Sequence, residues 1–388
     1  MKIGVDIRVL MDRNYSGISE YTANLLSAIL NIDKTNEYKL FYNSYQNIGE
    51  RLKIWERDNA KIFKTRFPNK IFNYLLQKNF SWPKIDGVLG GTDIFWSPHF
   101  NFTSISSKTK KIITVHDLSF LRYPEFFSFR KNFWHRALRV VKTLKQANLI
   151  IAVSENTKND IIELAGIDSA KVVVVYSGNN LQKKEINDEE AIPFLQKNKI
   201  NSSFILYLGN IEPRKNIANL IIAFNKLKAA DEKYKGLQLV LAGAKAWKCS
   251  QIMKEWQKSP YQSNIIFLGY IDKSEKEILY SRAAAFVYPS FYEGFGFPPL
   301  EAMAYGVPII CSNVSSLPEV VAEAAILINP FKPEEITSAL EIILSNETVR
   351  NNLINLGYRR EKEFTWEKTA QAYLDIFKKI NDQPEAEK

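Results

Sequence analysis

The sequence predicts an α/β protein built from two doubly wound domains in series. Short apolar runs rich in β-branched residues alternate with longer segments of helical period along nearly the whole chain. That alternation is typical of parallel sheets whose strands are buried between helices. It lapses once, across a polar stretch around residues 177–203, and then restarts. At 388 residues the chain has the length of two such domains.

The lapse in the pattern sets the expected domain boundaries. Residues 1–185 form a first Rossmann-like domain, 186–202 a linker and 203–380 a second Rossmann-like domain. The pattern is entirely helical after Pro333, and the last helix is expected to pack back on the first domain. The polar residues 381–388 are expected to form a disordered tail.

The predicted strands follow one another at the spacing that β-α units need. A helix over residues 17–30, with an apolar stripe, separates the first two of them. In the first domain the predicted strands are 2–9, 38–42, 94–97, 111–115, 149–153 and 172–176. In the second domain they are 204–208, 237–242, 265–268, 284–288, 308–311 and 325–328. Because ligands bind outside the carboxyl ends of parallel strands, the site is expected in a cleft lined by loops from both domains.

The composition excludes several functional classes. Only two cysteines and three histidines occur, which excludes a disulfide framework, a zinc ribbon and a histidine-rich metal site. The sequence shows no signal peptide, and no apolar run approaches the roughly 18 residues that cross a bilayer. These observations predict a cytoplasmic protein that either stays in solution or attaches to a membrane surface.

The positive charge is concentrated in the first half. The whole chain carries a net charge of +10, and residues 1–185 hold 28 Lys+Arg against 17 Asp+Glu. This asymmetry indicates either an anionic partner, such as nucleic acid or an anionic lipid surface, or a solvated basic face without a partner. The sequence contains no zinc-finger spacing, RNA-recognition signature or helix-turn-helix pattern, so no nucleic-acid partner is expected.

Residues 126–144 concentrate both basic and aromatic side chains. They read FFSFRKNFWHRALRVVKTL, with the two kinds of side chain at helical spacing. This pattern fits a helix that lies at a membrane interface. It also fits an ordinary amphipathic helix packed on a sheet, and the packed helix is the favoured interpretation.

The first motif with chemical content is YLGNIEPRKN, residues 207–216. A predicted strand ends at Gly209, and a helix is expected to begin near Asn216, directly after Arg214 and Lys215. The free N–H groups and the dipole of a helix attract an anion at such a point, and two cations pair with its oxygens. The motif therefore predicts a pyrophosphate site, with a solvent-exposed charged loop as the alternative.

The second motif is SFYEGFGFPPLE, residues 290–301. Gly294 and Gly296 allow the backbone to come close to a ligand, and two prolines suit the first turn of a helix. Glu293 lies in the loop and Glu301 one turn into the helix, so both carboxylates can face one ligand. Because a carboxylate accepts two hydrogen bonds, the pair indicates recognition of sugar hydroxyls.

These motifs resemble those of a known family. The SxYEGFGxPxLEAMAxGxPxI pattern of residues 290–310, together with EPRKN upstream, is similar to the retaining glycosyltransferases of family 4, which have the GT-B fold. The resemblance covers nearly the whole chain and is closest to bacterial mannosyltransferases of polysaccharide and O-antigen pathways. The looser matches in the first half are Gly4-Val5-Asp6, Ser16-Gly17-Ile18-Ser19, Val115-His116-Asp117 and Ala152-Val153-Ser154-Glu155.

The resemblance implies a role for each matching residue. Arg214 and Lys215 would hold the diphosphate, Glu301 would hydrogen-bond the ribose, and Glu293 would contact the transferred sugar. Many relatives place the second cation five positions before the lysine, where this chain has Asn210. Either Arg214 takes over that role or the pyrophosphate is less neutralised. The further implied donor-binding positions are Gly17, Tyr270, Gly294, Phe295, Gly296, Phe297 and Leu300, with Tyr270 near the base and Gly17 near the phosphate.

The acceptor side of the site is implied by the same resemblance. His116 and Asp117 would line it, whereas a local turn stabilised by the Asp117 side chain is the alternative interpretation of this dipeptide. Catalytic roles are expected for His116, Glu293, Lys215 and Arg214. The cations would take the role that magnesium has elsewhere, so no metal and no cofactor are expected.

The implied reaction is retaining transfer of a hexose from a nucleoside diphosphate sugar to a glycan or lipid-linked oligosaccharide. GDP-mannose is the expected donor, with UDP-glucose, UDP-N-acetylglucosamine, UDP-galactose and dTDP-rhamnose left open. A nucleotide-sugar epimerase, a glycan phosphorylase or a non-catalytic GT-B binding protein are the alternative classes. The basic first domain suggests peripheral attachment to the cytoplasmic face of the inner membrane.

Overall fold

The computed structural model describes residues 1–11, 16–46, 48–77, 83–181, 183–201 and 203–382. The chain divides into two compact units. The N-terminal unit comprises Met1–Arg122, Phe129–Asn180 and Phe364–Lys388, and the C-terminal unit comprises Tyr123–Ser128 and Leu181–Glu363. Each unit is organised around its own parallel sheet, as the alternating pattern predicts.

The sheet of the N-terminal unit has seven strands in the order β3-β2-β1-β4-β5-β6-β7, and all of its neighbouring pairs are parallel. The central strands are buried on both faces, which explains their continuous apolar sequence. The strands are β1 (Lys2–Asp6), β2 (Glu37–Asn43), β3 (Ala60–Thr65), β4 (Ile94–Ser97), β5 (Lys110–Val115), β6 (Leu149–Ala152) and β7 (Val172–Val174).

The sheet of the C-terminal unit has six parallel strands in the order β10-β9-β8-β11-β12-β13. The strands are β8 (Phe204–Leu208), β9 (Gln238–Ala242), β10 (Ile265–Gly269), β11 (Ala285–Tyr288), β12 (Ile309–Ser312) and β13 (Ala325–Ile328). The chain runs outward from β8 to β10 and then returns to β11 beside β8, so the order of strands reverses between β8 and β11. Open α/β sheets bind their ligands at such a point.

The helices connect these strands in the predicted alternation. In chain order they are α1 (Gly17–Ile32), α2 (Gly49–Leu52), α3 (Asn69–Gln77), α4 (Ile85–Val88), α5 (Ser119–Arg122), α6 (Phe129–Ala137), α7 (Val140–Lys145), α8 (Glu155–Ala165), α9 (Asp188–Lys197), α10 (Ile217–Ala230), α11 (Ser250–Lys258), α12 (Lys273–Arg282), α13 (Phe297–Ala304), α14 (Leu317–Val321), α15 (Pro333–Ser345), α16 (Glu347–Glu361) and α17 (Trp366–Asp382).

The last helix, α17, is part of the N-terminal unit and packs along α1. The Tyr373 hydroxyl lies 2.7 Å from the hydroxyls of Tyr21 and Thr114, and all three residues are buried. The indole N–H of Trp96 donates to the Thr114 hydroxyl at 3.0 Å. This buried network attaches α17 to α1, β4 and β5, since a buried hydroxyl without a partner would destabilise the fold.

The structure differs from the predicted elements chiefly at five places. The linker expected at 186–202 contains α9, whose N-cap Asn187 accepts a hydrogen bond from the Glu190 N–H. The helix expected over 126–144 is divided into α6 and α7, because Arg139 adopts a left-handed conformation with φ 48°. Strand β3 has no counterpart in the prediction, and β1 ends at Asp6 because a 3-10 turn follows. Residues 381 and 382 of the expected tail belong to α17, and 383–388 lie outside the described residues.

Candidate functional site

The candidate site of the C-terminal unit lies in the loops that follow β8 and β11, at the point where the strand order reverses. The first loop forms a 3-10 turn over Pro213–Lys215 and leads into α10. The second loop runs from Pro289 to Gly296 and leads into α13. The two predicted motifs therefore lie beside each other although about 80 residues separate them.

Lys215 and Arg214 both pair with Glu293. The Lys215 ammonium lies 2.6 Å from Glu293 Oε1, and the Arg214 guanidinium lies 3.0 Å from Glu293 Oε2. Arg214 also donates to Glu212 Oε1 at 3.0 Å and to the Tyr292 carbonyl at 2.6 Å. The cluster is largely enclosed, since the exposed fractions of the Lys215 and Glu293 side chains are 9% and 8%.

Burial and charge act in opposite directions on the Glu293 carboxyl. Burial alone would raise its pKa, but Lys215 and Arg214 stabilise the carboxylate and lower the pKa to about 2. Burial also lowers the pKa of Lys215, although the Glu293 carboxylate beside it favours the charged ammonium. The cluster therefore places a charged carboxylate between two cations.

Backbone contacts hold the two loops against each other. The Phe291 N–H donates to the Arg214 carbonyl at 2.9 Å. Asn216 has a left-handed conformation with φ 59°, and its amide donates to the carbonyls of Pro289 and Pro330 at 3.0 and 2.7 Å. An asparagine tolerates this conformation better than most residues, which gives the N of EPRKN a structural role.

The glycine-rich loop is fixed by serine side chains and by close packing. The hydroxyl of Ser316 donates to the carbonyls of Glu293 and Phe295, and the hydroxyl of Ser315 accepts from the Glu293 N–H at 3.0 Å. Gly296 has φ 119°, and a Cβ atom there would lie 2.9 Å from Leu317 Cδ2. The conformation therefore favours glycine at Gly296, and a larger residue would also displace the buried Leu317 side chain.

Glu301 has a different set of partners from Glu293. It lies in α13 and is 2% exposed. Its Oε1 accepts from the Lys276 ammonium at 2.8 Å, and its Oε2 accepts from the Tyr280 hydroxyl at 3.0 Å. Both donors come from α12, whereas Glu293 pairs with Arg214 and Lys215 of the loop after β8. The structure thus resolves the predicted pair of acids into two separately paired carboxylates.

The other predicted donor-binding residues differ in exposure. Gly294, Phe295 and Gly296 are buried within the loop, and Phe297 begins α13 with its ring 5.4 Å from that of Phe295. Leu300 is completely buried, so its side chain packs in the core of the unit. Tyr270 follows β10 and is 63% exposed.

The predicted residues of the N-terminal unit lie at the carboxyl ends of β1 and β5. His116 follows β5, its Nε2 donates to the Pro98 carbonyl at 2.8 Å, and its ring contacts Tyr21 edge-on at 4.6 Å. The neutral ring therefore carries its proton on Nε2, and burial lowers its pKa. The Asp117 carboxylate accepts from the Ser119 N–H at 2.9 Å, which is the local turn of the alternative interpretation. Gly17 is the first residue of α1, with open space where a Cβ would lie.

Further polar residues lie near these positions, among them Asp6 and Glu212, which the matched motifs contain without an assigned role. Asp6 is completely buried and pairs with Arg8 at 2.6 Å, at the carboxyl end of β1. Burial lowers the pKa of His99 to about 4. In the C-terminal unit, Glu212 and Tyr288 support the cationic pair, and the Tyr288 hydroxyl accepts from Lys215 at 2.8 Å. Glu212 is the first residue of the EPRKN motif, and its position two residues before Arg214 was the available signal for this ion pair.

Residues Tyr123–Ser128 contribute aromatic contacts to the C-terminal unit. The Phe126 ring stacks on Phe291 at 5.7 Å, and the Tyr123 ring lies 5.8 Å from that of Tyr292. The Trp247 indole N–H donates to the Phe126 carbonyl at 2.6 Å. Because Phe291 and Tyr292 directly precede Glu293, this short segment packs against the loop that carries the carboxylate.

In the part of the chain that the structure describes, no group of three or more His, Cys, Asp or Glu side chains is arranged to hold a metal ion. Among the same residues, no helix combines the length and apolar character that crossing a bilayer requires.

Two family models match the chain. The model described as Glycosyltransferase Family 4 matches residues 51–183, and the model described as Glycosyl transferases group 1 matches residues 188–360. The two matches meet near the boundary between the units, which the structure places between residues 180 and 181. The second match includes the whole cluster of Arg214, Lys215 and Glu293.

Curated relatives are similar over most of the chain. O-antigen chain mannosyltransferase B of Escherichia coli is 29% identical over 378 residues, which cover 94% of this chain and 96% of that protein. O-antigen chain mannosyltransferase RfbU of Salmonella typhimurium is also 29% identical, over 66% of this chain and 65% of its own length. Serotype-specific mannosyltransferase WbdA of Escherichia coli is 30% identical over 70% of this chain, which spans only 34% of that longer protein.

Solved structures share the architecture. Sucrose-phosphate synthase from Thermosynechococcus elongatus superimposes with a TM-score of 0.71 at 18% identity, covering 98% of this chain and 99% of that one. Anabaena HepE in complex with UDP-glucose gives a TM-score of 0.71 at 16% identity, covering 98% of this chain and all of that one. At these identities the likeness shows the fold, and it confirms the predicted pair of doubly wound domains.

Proposed function

Since the chain belongs to the family 4 glycosyltransferases, with the GT-B fold, we propose that it transfers mannose from GDP-mannose to a glycan or lipid-linked oligosaccharide with retention of configuration. The observation that carries this proposal is the pairing of Arg214 and Lys215 with Glu293 at the point where the C-terminal sheet reverses its strand order. The proposal takes mannose as the transferred sugar from the curated relatives, which are mannosyltransferases, and takes GDP as its carrier from the resemblance of the sequence motifs.

The two cations would stabilise the leaving group. Transfer releases a nucleoside diphosphate, whose developing negative charge needs donors that are already in place. The contacts of the Lys215 ammonium with Tyr288 and Glu293 use two of its three N–H donors, which leaves one for a phosphate oxygen. Arg214 lies beside it, and α10 begins two residues after Lys215, so its N-terminal N–H groups add to the positive potential.

Glu293 would orient these cations and contact the transferred sugar. Its low pKa keeps it ionised at physiological pH, so it accepts hydrogen bonds and does not supply a proton. In a retaining transfer the sugar carbon passes through a state with oxocarbenium character. The departing phosphate oxygen, on the same face, would accept the proton of the acceptor hydroxyl, and His116 would position the acceptor. The reaction as proposed needs no metal, because the cations neutralise the diphosphate.

Glu301 would bind the nucleotide ribose. Its carboxylate is held by Lys276 and Tyr280, one contact on each oxygen. Each carboxylate oxygen has two lone-pair positions, so this arrangement leaves acceptor capacity for ribose hydroxyls. Tyr270, exposed at the end of β10, would lie beside the base.

A nucleotide screen tests the donor. GDP, UDP, dTDP, ADP and CMP are compared at matched concentrations by thermal shift, with and without a chelator, because a ligand that binds only the folded state raises the apparent Tm. A shift with GDP alone that the chelator does not change is the expected result. A shift with UDP or dTDP instead would exclude GDP-mannose as the donor and indicate a sugar carried by that other nucleotide. The absence of any shift would contradict a nucleotide site at Lys215 and Glu301.

The type of acceptor is inferred from the positive charge of the first half of the chain. The excess of basic residues in 1–185 favours an acceptor presented at an anionic surface, which suits a lipid-linked oligosaccharide at the cytoplasmic face of the membrane. Transfer of radiolabelled mannose to a lipid extract, followed by partition into butanol, tests this assignment. Label that stays entirely in water-soluble glycans would exclude a lipid-linked acceptor.

A further inference from the structure

Helix α6 presents large aromatic side chains to solvent. Phe129, Phe133 and Trp134 are 86%, 67% and 48% exposed, and all three lie in the first two turns of α6. Scattered exposed hydrophobic residues are ordinary on protein surfaces, whereas a cluster of large ones marks a surface that contacts something else. None of the α6 residues is fully buried, and α6 packs only through partly buried residues such as His135, whereas α7 buries Val140 and Leu144 as the favoured interpretation of a packed helix predicts.

The helix geometry places these aromatic side chains on one side. At about 100° per residue, the positions of Phe129, Phe133 and Trp134 fall within an arc of roughly 140°, and Arg130 falls between the last two. The opposite side carries His135, whose ring stacks on Phe120 at 4.1 Å and attaches α6 to the body of the unit. The exposed set Phe129, Arg130, Phe133, Trp134 and Arg136 is called the α6 face below.

The stretch of chain that carries the α6 face has formal charges of one sign. Between Glu125 and Glu155 the sequence contains no acidic residue. The same interval contains six basic residues, all of them exposed, namely Arg130, Lys131, Arg136, Arg139, Lys142 and Lys145. The surface therefore favours a partner that is anionic and able to receive apolar rings.

We propose that the α6 face docks the protein on a bilayer that contains anionic phospholipid. Its aromatic rings enter the headgroup region, and the surrounding basic residues contact headgroup phosphates. Aromatic side chains on one face of a helix with arginine and lysine beside them have the chemistry of interfacial helices. A helix of nine residues is too short to span a bilayer, so it lies on the surface. The choice of a membrane rests on the lipid-linked acceptor of the proposed function, but the binding itself is independent of catalysis.

Vesicle co-sedimentation tests the proposal. The full chain is expected to bind vesicles that contain phosphatidylglycerol and not vesicles of phosphatidylcholine alone. Binding should weaken between about 0.1 M and about 1 M salt, because the headgroup attraction is screened. The variant Phe129→Ser/Phe133→Ser/Trp134→Ser should lose roughly tenfold or more in partition coefficient, since binding scales with the apolar area that enters the bilayer.

Matched variants control for surface changes elsewhere. Tyr45→Ser removes another aromatic side chain, 76% exposed, and Arg350→Gln/Arg359→Gln removes two exposed charges of α16. Both should bind vesicles like the wild type. Every variant must keep the Tm and the GDP affinity of the wild type, so that a loss of vesicle binding can be distinguished from unfolding or damage to the donor site. A triple serine variant that binds as well as the wild type would overturn the proposal, as would a wild-type protein that ignores anionic vesicles.

Fluorescence quenching by brominated lipid measures how deeply the α6 face enters the bilayer. Brominated phosphatidylglycerol should quench the fluorescence contributed by Trp134, and Trp134→Phe should lose most of this quenching while it still sediments with vesicles. A quenching that Trp134→Phe leaves unchanged would place another part of the chain in the bilayer. If the wild type is a dimer that the triple serine variant converts to a monomer without lipid, the α6 face is instead a contact between copies, and the proposal fails.

Discussion

The Lys215 ammonium lies 2.6 Å from Glu293 Oε1, which joins the loop after β8 to the loop after β11. The contact is buried, and the Tyr288 hydroxyl and the Arg214 guanidinium complete its surroundings. A buried pair of this kind is costly to disrupt on one side, because the remaining charge loses its compensation. The pair therefore links the stability of the donor loops to the charge that the proposed chemistry needs.

Replacement of Lys215 separates these two effects. Lys215→Met should lower transfer roughly a hundredfold or more, because a preorganised charge at the leaving group acts mainly in the transition state. It should also lower the free energy of unfolding by about 3 kcal/mol, since Glu293 loses one of its two cations. Steady-state kinetics and chemical denaturation measure the two quantities.

The double variant Lys215→Met/Glu293→Gln is the control for that experiment. It removes both charges, so it should be more stable than Lys215→Met alone while it remains inactive. Recovery of activity in the double variant would mean that Lys215 acts only by balancing Glu293. Full activity in a folded Lys215→Met protein would exclude its role at the diphosphate.

Glu301 should govern affinity for the nucleotide more than turnover. Glu301→Gln keeps the shape of the side chain and one acceptor oxygen but loses the charge, so we expect a raised KM for the donor and a lower affinity for the nucleoside diphosphate. Lys276→Met is the matched control, because it breaks the same ion pair at 2.8 Å and leaves the carboxylate in place. If both variants change affinity equally in calorimetric titration, the ion pair rather than the carboxylate is what the nucleotide senses.

The fold could be predicted from sequence where the signal is local. Strands β4, β8 and β13 have the expected bounds, since each is a short apolar run between turn residues. Strand β3 reads AKIFKT and lies at the edge of its sheet, so its lysines interrupt the apolar run. The left-handed Arg139 that ends α6 carries no sequence signal, because arginine has no preference for that conformation.

The candidate site was predictable in its residue types and less so in its pairing. The motifs identify Arg214, Lys215 and Glu293, which the structure brings together. The partners of Glu301 lie on α12, 21 and 25 residues earlier in the chain, and nothing in the spacing of the sequence connects them. Such contacts depend on the packing of α12 against α13, which only the three-dimensional structure shows.

Stability should rise with pH between about pH 4 and pH 6.5. Burial lowers the pKa of His99 from 6.5 to about 4 and lowers that of His116 as well, so in this window the unfolded chain binds protons that the folded chain does not. His99 alone should add about 2 kcal/mol to the free energy of unfolding between pH 5 and pH 7. Urea denaturation at several pH values measures the slope, and His99→Gln should reduce it. An equal slope in that variant would assign the effect to other groups.

Tyr373 should anchor α17 to the N-terminal unit. Its hydroxyl bonds to those of Tyr21 and Thr114 inside a core where Trp96 donates to the same threonine, so removal of one oxygen leaves buried polar groups without a partner. Tyr373→Phe should lower the free energy of unfolding by about 1–3 kcal/mol. Tyr21→Phe removes the same hydrogen bond from the other side, and the double variant should therefore cost less stability than the sum of the two single variants.

The affinity for GDP should not change in any of these variants, because the cluster around Lys215 belongs to the C-terminal unit. Denaturation curves and GDP titrations of all three variants measure these two quantities. Additive losses of stability would show that Tyr21 and Tyr373 act separately. A loss of GDP affinity would show that α17 does more than hold the N-terminal unit together.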